Sequence, residues 1–116
     1  MKFKTINLLT GVKGEGLAVK YLKSLGYKIL EQNYKTYMGE IDIIAKDKDR
    51  IVFVEVKSRS TLSKGFGREA ITQDKIRHIR SSATMYLKTK KLLEDKIRFD
   101  IIEIVDDKIN HLKAVF

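Results

Sequence analysis

The chain has 116 residues, and 24 lysines and arginines against 15 aspartates and glutamates leave a net charge of +9. It contains no cysteine, which excludes a disulfide framework, a thiolate zinc site and a cysteine nucleophile. The length suits one domain, 1–116, since single domains commonly run roughly 100–150 residues. No apolar run approaches the roughly 20 residues of a membrane span. The stretch Met1 to Leu9 is too interrupted by polar residues for a signal-peptide core. These features predict a cytoplasmic protein with no membrane partner.

From Gly11 to Leu25, the residues Val12, Leu17, Ala18, Tyr21, Leu22 and Leu25 recur at three-to-four spacing and predict an amphipathic helix, with Gly26 as its stop. Tyr27 to Asn33 reads as a short strand. Glu40 to Lys46 and Ile51 to Ser58 read as two more, joined by the polar turn Asp47-Lys48-Asp49-Arg50. In the second of these, Val52, Val54 and Val56 share one face, and Ile51, Phe53, Glu55 and Lys57 share the other. Apolar residues on both faces predict a central strand covered on both sides. A polar loop with Gly65 and Gly67 leads to a second helix, about Ala70 to Leu87. That helix sets Ile71, Ile79, Ala83, Tyr86 and Leu87 against Lys75, Arg77, Arg80 and Lys88. Ile97 to Ile104 is a further strand, and Asp106-Asp107 turns into a last short one near Ile109 to Val115. The order α-β-β-β-α-β(-β) predicts an α/β fold with a small mixed sheet flanked by helices.

Residues 61–91 hold eight basic and two acidic side chains, and so most of the excess charge. Such a segment reads either as a basic face toward phosphate or as a solvated, lysine-rich helix surface. The phosphate reading selects Lys64, Arg68, Lys75, Arg77, Arg80, Lys88, Lys90 and Lys91. Contacts of that kind fix position rather than read bases.

The acids are more informative. Asp42 lies within Glu40-Ile41-Asp42-Ile43-Ile44-Ala45, and Glu55 within Val52-Phe53-Val54-Glu55-Val56-Lys57. A carboxylate in a covered strand costs several kcal/mol of desolvation unless a partner or a metal compensates. The two strands flank a tight turn, so they should pair antiparallel, with Asp42 about as far before the turn as Glu55 is after it. Lys57 shares a face with Glu55. Three acid-x-Lys triplets occur, Glu55-Val56-Lys57, Glu94-Asp95-Lys96 and Asp106-Asp107-Lys108. Short motifs of this kind recur by chance, and only the first lies in an apolar strand behind another strand acid. Two outcomes stay open: a cross-strand salt bridge to Lys57, or a Mg²⁺ site for phosphodiester hydrolysis. Glu15, between Gly14 and Gly16 early in the first helix, is placed to add a third acid.

Other patterns carry less. Gly11-x-x-Gly14-x-Gly16 follows no strand and lacks the Lys-Ser/Thr ending of a phosphate loop. His78 and His111 have no metal-ligand spacing and read as surface or packing residues. Tyr34 and Tyr37, before Gly39, read as core or loop packing, with substrate contact as the alternative.

The runs Gly39-Glu40-Ile41-Asp42-Ile43-Ile44-Ala45 and Val52-Phe53-Val54-Glu55-Val56-Lys57-Ser58-Arg59 resemble the YraN-like family of bacterial proteins. So do Gly14-Glu15-x-x-Ala18-x-x-Tyr21-Leu22 upstream and Lys75, Tyr86-Leu87 and Arg98-Phe99-Asp100 downstream. The resemblance implies the restriction-endonuclease-like fold of the PD-(D/E)XK nucleases, similar to archaeal Holliday-junction resolvases. It places Asp42, Glu55 and Lys57 on the nuclease motif, with Glu15 as the first-helix acid and Gln73-x-Lys75 as the polar motif of the second helix. Ile41 stands where many of these nucleases have proline. Asp42, Glu55 and Glu15 would hold Mg²⁺ or Mn²⁺, and Gln73, Lys75, Arg59, Arg68, Arg77 and Arg80 would contact substrate. The implied activity is metal-dependent cleavage of DNA, branched or recombining DNA included, and homodimers are common among similar resolvases. The alternative is a nucleic-acid-binding module that keeps the scaffold without turnover.

Overall fold

The computed structural model describes residues 14–59, 71–92 and 95–116. Helix α1 covers 14–24 within these bounds. It ends where Gly26 takes a φ of +90°. There the Gly26 N–H reaches Lys23 O at 2.9 Å and the Tyr27 N–H reaches Leu22 O at 3.0 Å, the paired bonds of a Schellman stop. Strands β1 (Lys28–Thr36), β2 (Gly39–Asp47) and β3 (Arg50–Arg59) follow, then helix α2 (Gln73–Thr89) and strands β4 (Lys96–Val105) and β5 (Lys108–Leu112). The described residues form an α/β fold with two helices and one five-stranded mixed sheet in the order β1-β2-β3-β4-β5.

β3 occupies the centre, antiparallel to β2 and parallel to β4 over its whole length. A parallel neighbour requires a crossover, and α2 lies within it. The Thr72 hydroxyl caps α2 by accepting the Lys75 N–H at 3.1 Å, so the helix begins three residues later than the predicted Ala70. Asn33 marked the expected end of β1, yet the strand continues to Thr36 with Asn33 at a φ of +51°. Asparagine tolerates that left-handed conformation, so the strand bends there instead of stopping.

Each helix covers one face. Ala18, Val19 and Leu22 of α1 pack with Ile43, Ala45, Val52, Val54, Ile102 and Ile104. Ile79, Ala83, Tyr86 and Leu87 of α2 pack with Ile44, Ile51, Phe53 and Phe99. Leu25, expected on the apolar face of α1, is 49% exposed, because it falls in the turn that ends the helix. Gly14 is buried against β3, where an added Cβ would collide with the Ser58 hydroxyl.

Candidate functional site

β2 and β3 share a ladder from Asp47↔Arg50 to Ile43↔Val54, and the regular pairing stops there. The next rung would place Asp42 opposite Glu55, as their equal distance from the turn predicts. Instead the Val56 N–H turns to the Asp42 carboxylate, donating to Oδ2 at 2.8 Å. Side-chain alternation breaks at the same point: Ile43 lies beneath α1, whereas Ile44 and Ile41 both lie beneath α2. The sheet therefore forks at Asp42, and the carboxylate fills the fork.

Glu55 is only 5% exposed. Two amines meet its Oε2, Lys57 Nζ at 3.2 Å and Lys75 Nζ at 2.7 Å. Lys57 reaches it because residues two apart on a strand share a face. Lys75 comes from the first turn of α2, whose N-terminal end carries the positive pole of the helix dipole. A cleft of about 290 Å³ opens here, lined by Glu40, Asp42, Glu55, Thr72, Lys75 and His78 among others.

The charges in the cleft act on one another. Burial first, then the adjacent Glu55 charge, push the Asp42 carboxyl from 3.8 up to about 7, with a smaller contribution from Glu15 and against the opposing pull of the Val56 N–H. Burial alone would lower Lys75, but its contacts with Glu55 and the field of Asp42 hold it above its ordinary value. Burial, together with the neighbouring Glu55 charge, keeps a proton on Asp42 near neutrality, a cost that a bound cation would relieve. Hard oxygen donors beside a cleft also match the chemistry of Mg²⁺ or Mn²⁺, so the donor set fits such an ion.

The remaining expected residues are placed as follows. Glu15 lies half-buried in α1 and its charge is felt at Asp42. Among the described residues no three histidines or carboxylates converge into a ligand group, so Glu15 acts on the pair through its charge. Gln73 opens α2 and is exposed. Arg77 is paired with Asp74 on the outer face of α2. Arg80 lies over the rings of Phe99 and Phe116, 5.3 and 5.8 Å from their centroids. That contact explains its position: the guanidinium covers the aromatic stack on the flank of α2. Lys88, Lys90 and Lys91 are exposed at the far end of α2, about 20 Å from Lys75 at 1.5 Å per residue. Arg59 ends β3. Lys64 and Arg68 lie outside the described residues.

A second polar cluster, beneath α1, was missed by the sequence reading. Asp100 is fully buried. It receives Arg98 Nε and Nη2, each at 2.9 Å, and the Ala114 N–H at 3.0 Å. Its Oδ2 also meets His111 Nε2 at 2.7 Å, and Tyr21 OH meets His111 Nδ1 at 3.0 Å. Arg98 continues to Tyr27 OH at 2.7 Å and Asp47 at 3.3 Å. Burial alone would raise Asp100, but the bonds from His111, Arg98 and Ala114 outweigh it and hold the carboxyl below its ordinary value. His111 is thus an interior hydrogen-bonding residue, while His78 is exposed at the cleft. The signal was available in Phe99-Asp100-Ile101-Ile102, where a charge in an apolar strand again demands partners. Glu103, 2% exposed and in register with Lys57, carries the same signal.

The fold and cleft define an α/β protein with paired strand carboxylates at the open end of its central strands. The chain belongs to the family described as "Uncharacterised protein family UPF0102", which matches residues 14–104 and is the YraN-like family that residues 39–59 resemble. It is similar to UPF0102 proteins of Persephonella marina (44% identical over 108 residues, 93% of each chain) and Clostridioides difficile (47% over 105 residues, 89% of this chain and 92% of the relative). A third, from Syntrophus aciditrophicus, is 49% identical over 100 residues, covering 86% of this chain and 79% of the relative.

Proposed function

We propose that this chain is a Mg²⁺- or Mn²⁺-dependent endonuclease with a restriction-endonuclease-like core, acting on DNA, branched forms included. The observation that carries the reading is the fork at Asp42. There two carboxylates from adjoining strands line a cleft with Lys75 and the positive end of a helix, and Lys57 pairs with Glu55.

Asp42 and Glu55 would hold the ion, with Glu15 adding a third negative charge nearby. When bound, the ion supplies Lewis acidity that activates the attacking water and neutralises charge building on the phosphate. The chain's own groups do the rest. Lys57 orients the water by hydrogen bonding and stabilises the charge of the transition state. Lys75 and the α2 N-terminus hold the phosphate oxygens. The Val56 N–H fixes the Asp42 carboxylate in its rotamer. Water oxygen bonds to phosphorus as the bond to the bridging oxygen breaks; the attacking water gives up one proton to solvent, and solvent returns one to the departing oxygen.

The test is cleavage of branched, nicked and linear DNA with Mg²⁺ or Mn²⁺. Asp42→Ala and Lys57→Ala should each lower the rate by about a hundredfold or more, the scale for losing a transition-state electrostatic contact. Cleavage unchanged in either variant would reject the assignment.

One observation favours a second reading. Both amines already sit on Glu55 Oε2, so the site can neutralise itself as an ion-pair network in a nucleic-acid-binding module without turnover. Calorimetric titration with Mn²⁺ separates the two. The nuclease binds the ion and loses it on Asp42→Asn, whereas the binding module gives no heat with either protein.

A further inference from the structure

The turn between β1 and β2 consists of Tyr37 and Met38. The Thr36 hydroxyl accepts the Met38 N–H at 3.0 Å and bonds Gly39 O at 3.2 Å. It also meets the hydroxyl of the fully buried Ser82 at 2.8 Å, which ties the turn to α2. Gly39 has a φ of +152°, and a Cβ there would approach the His78 Cβ to 3.2 Å, so the turn is packed hard against the helix. Tyr37 is nevertheless 88% exposed. Tyr34, three residues earlier, packs edge-on against Tyr86 with centroids 5.3 Å apart.

Neither Tyr37 nor Met38 has a positive φ. Nothing in the backbone calls for a special residue, and an aromatic is not among the residues that favour turns. The ring is held in water by a rigid support beside the cleft, whose wall includes Gly39 and Glu40. Tyr37 is five residues from Asp42 along the chain, so their Cα atoms are within about 17 Å. At 3.4 Å per nucleotide, that span covers about five nucleotides from a phosphate held at the acid pair.

We infer that Tyr37 is a base-stacking subsite for an unpaired nucleobase within about five nucleotides of the phosphate in the cleft. The inference rests on the proposed nucleic-acid function and narrows its substrate class to strands with unpaired bases beside the cleavage point. In an intact duplex both faces of each internal base are covered by its neighbours. Apart from the two end pairs of a blunt duplex, only an unpaired or junctional base offers a free π-face to an aromatic ring. Lys35, exposed on the same hairpin, Lys75 in the cleft and Lys57 beside Glu55 supply positive charge for the connecting phosphates.

The chain has no tryptophan, so Tyr37→Trp places a lone tryptophan at this position, which can be excited apart from the remaining tyrosines. Two probes suffice: a blunt DNA duplex, and the same duplex with a single-stranded thymidine tail. Both are titrated into full-length protein carrying Asp42→Asn, to hold off turnover. The tailed probe should quench the tryptophan and the blunt duplex should not. Tyr37→Ala should weaken the tailed probe by about tenfold and leave the blunt duplex within about twofold, while Tyr37→Phe keeps wild-type affinity because stacking does not need the hydroxyl. Circular dichroism confirms that each variant is folded. Equal effects on both probes, or none on either, overturn the stacking subsite and leave metal-dependent cleavage standing. Failure of the parent protein to bind either probe, together with failure of the wild type to cleave, overturns both.

Discussion

Replacing Asp42 with asparagine separates a strained carboxylate pair from an ordinary salt bridge. Asparagine keeps the shape and the acceptor for the Val56 N–H, which lies 2.8 Å from Oδ2, and removes only the charge. Holding a carboxyl at about 7 instead of 3.8 costs its ionised form about 4 kcal/mol, at about 1.36 kcal/mol per pH unit. Residual solvent contact reduces that ceiling, and about 1–3 kcal/mol is the expected effect. Between 3.8 and about 7 the folded protein keeps a proton on Asp42 that the unfolded chain has released. Protonation therefore stabilises the fold in full below the ordinary carboxylate range, and the contribution is lost as pH rises through the folded value.

Urea unfolding of metal-free wild type and Asp42→Asn, at intervals from about pH 4 to about pH 8, gives the difference directly and cancels the other titrating groups. The two proteins should be similar at the acid end, and the variant should be the more stable by about 1–3 kcal/mol at the alkaline end. Mn²⁺ at about a hundred times its dissociation constant should then stabilise the wild type by about 2.7 kcal/mol and the variant by much less. A variant less stable than wild type at about pH 8 would refute the reasoning. That result would mean Asp42 is held charged by a cationic partner, as in a structural ion pair.

Asp100→Asn should cost about 3–5 kcal/mol in urea unfolding, because it leaves the Arg98 guanidinium buried opposite a neutral group. Asp100 is held below its ordinary value, so this contribution is complete above the carboxylate range and lost as pH falls through the folded value; a loss under about 1 kcal/mol would show that the network is dispensable. Gly14→Ala should lower stability by about 1–3 kcal/mol, since its Cβ would enter the space of the Ser58 hydroxyl. That hydroxyl is buried with no hydrogen-bond partner among the described residues, so Ser58→Ala should be neutral or stabilising and should rescue most of the Gly14→Ala loss. Additive effects in the double variant would place the clash elsewhere.

The parts of the site that follow from counting along the chain were legible before any coordinates. Asp42 and Glu55 are equidistant from a short turn, and Lys57 follows Glu55 by one strand period, so antiparallel pairing leaves little choice about their neighbourhood. Lys75 has no such rule to place it. Its amine reaches Glu55 only because the crossover sets the first turn of α2 over the end of β3, and that crossover geometry is a tertiary property. The Asp100 network was missed for a different reason. Its partners come from α1, from Tyr27 after the Gly26 stop, from β2 and β5 and from Ala114 beyond β5, so no local pattern joins them, although the apolar run around Asp100 carries the same desolvation cost that singled out Asp42. The two tyrosines before Gly39 show how far period reasoning extends. Tyr34 pairs with Ile41 in the ladder and turns inward with it beneath α2, although alternation from Ile43 would put Ile41 on the opposite face. Tyr37 lies in the turn, where alternation ends and orientation is set by how Thr36 and Gly39 lock onto α2. A carboxylate pair placed by register and a turn tyrosine placed by the packing of its neighbours thus come within five residues of each other along the chain, at Asp42 and Tyr37, one legible from spacing and the other only from the folded chain.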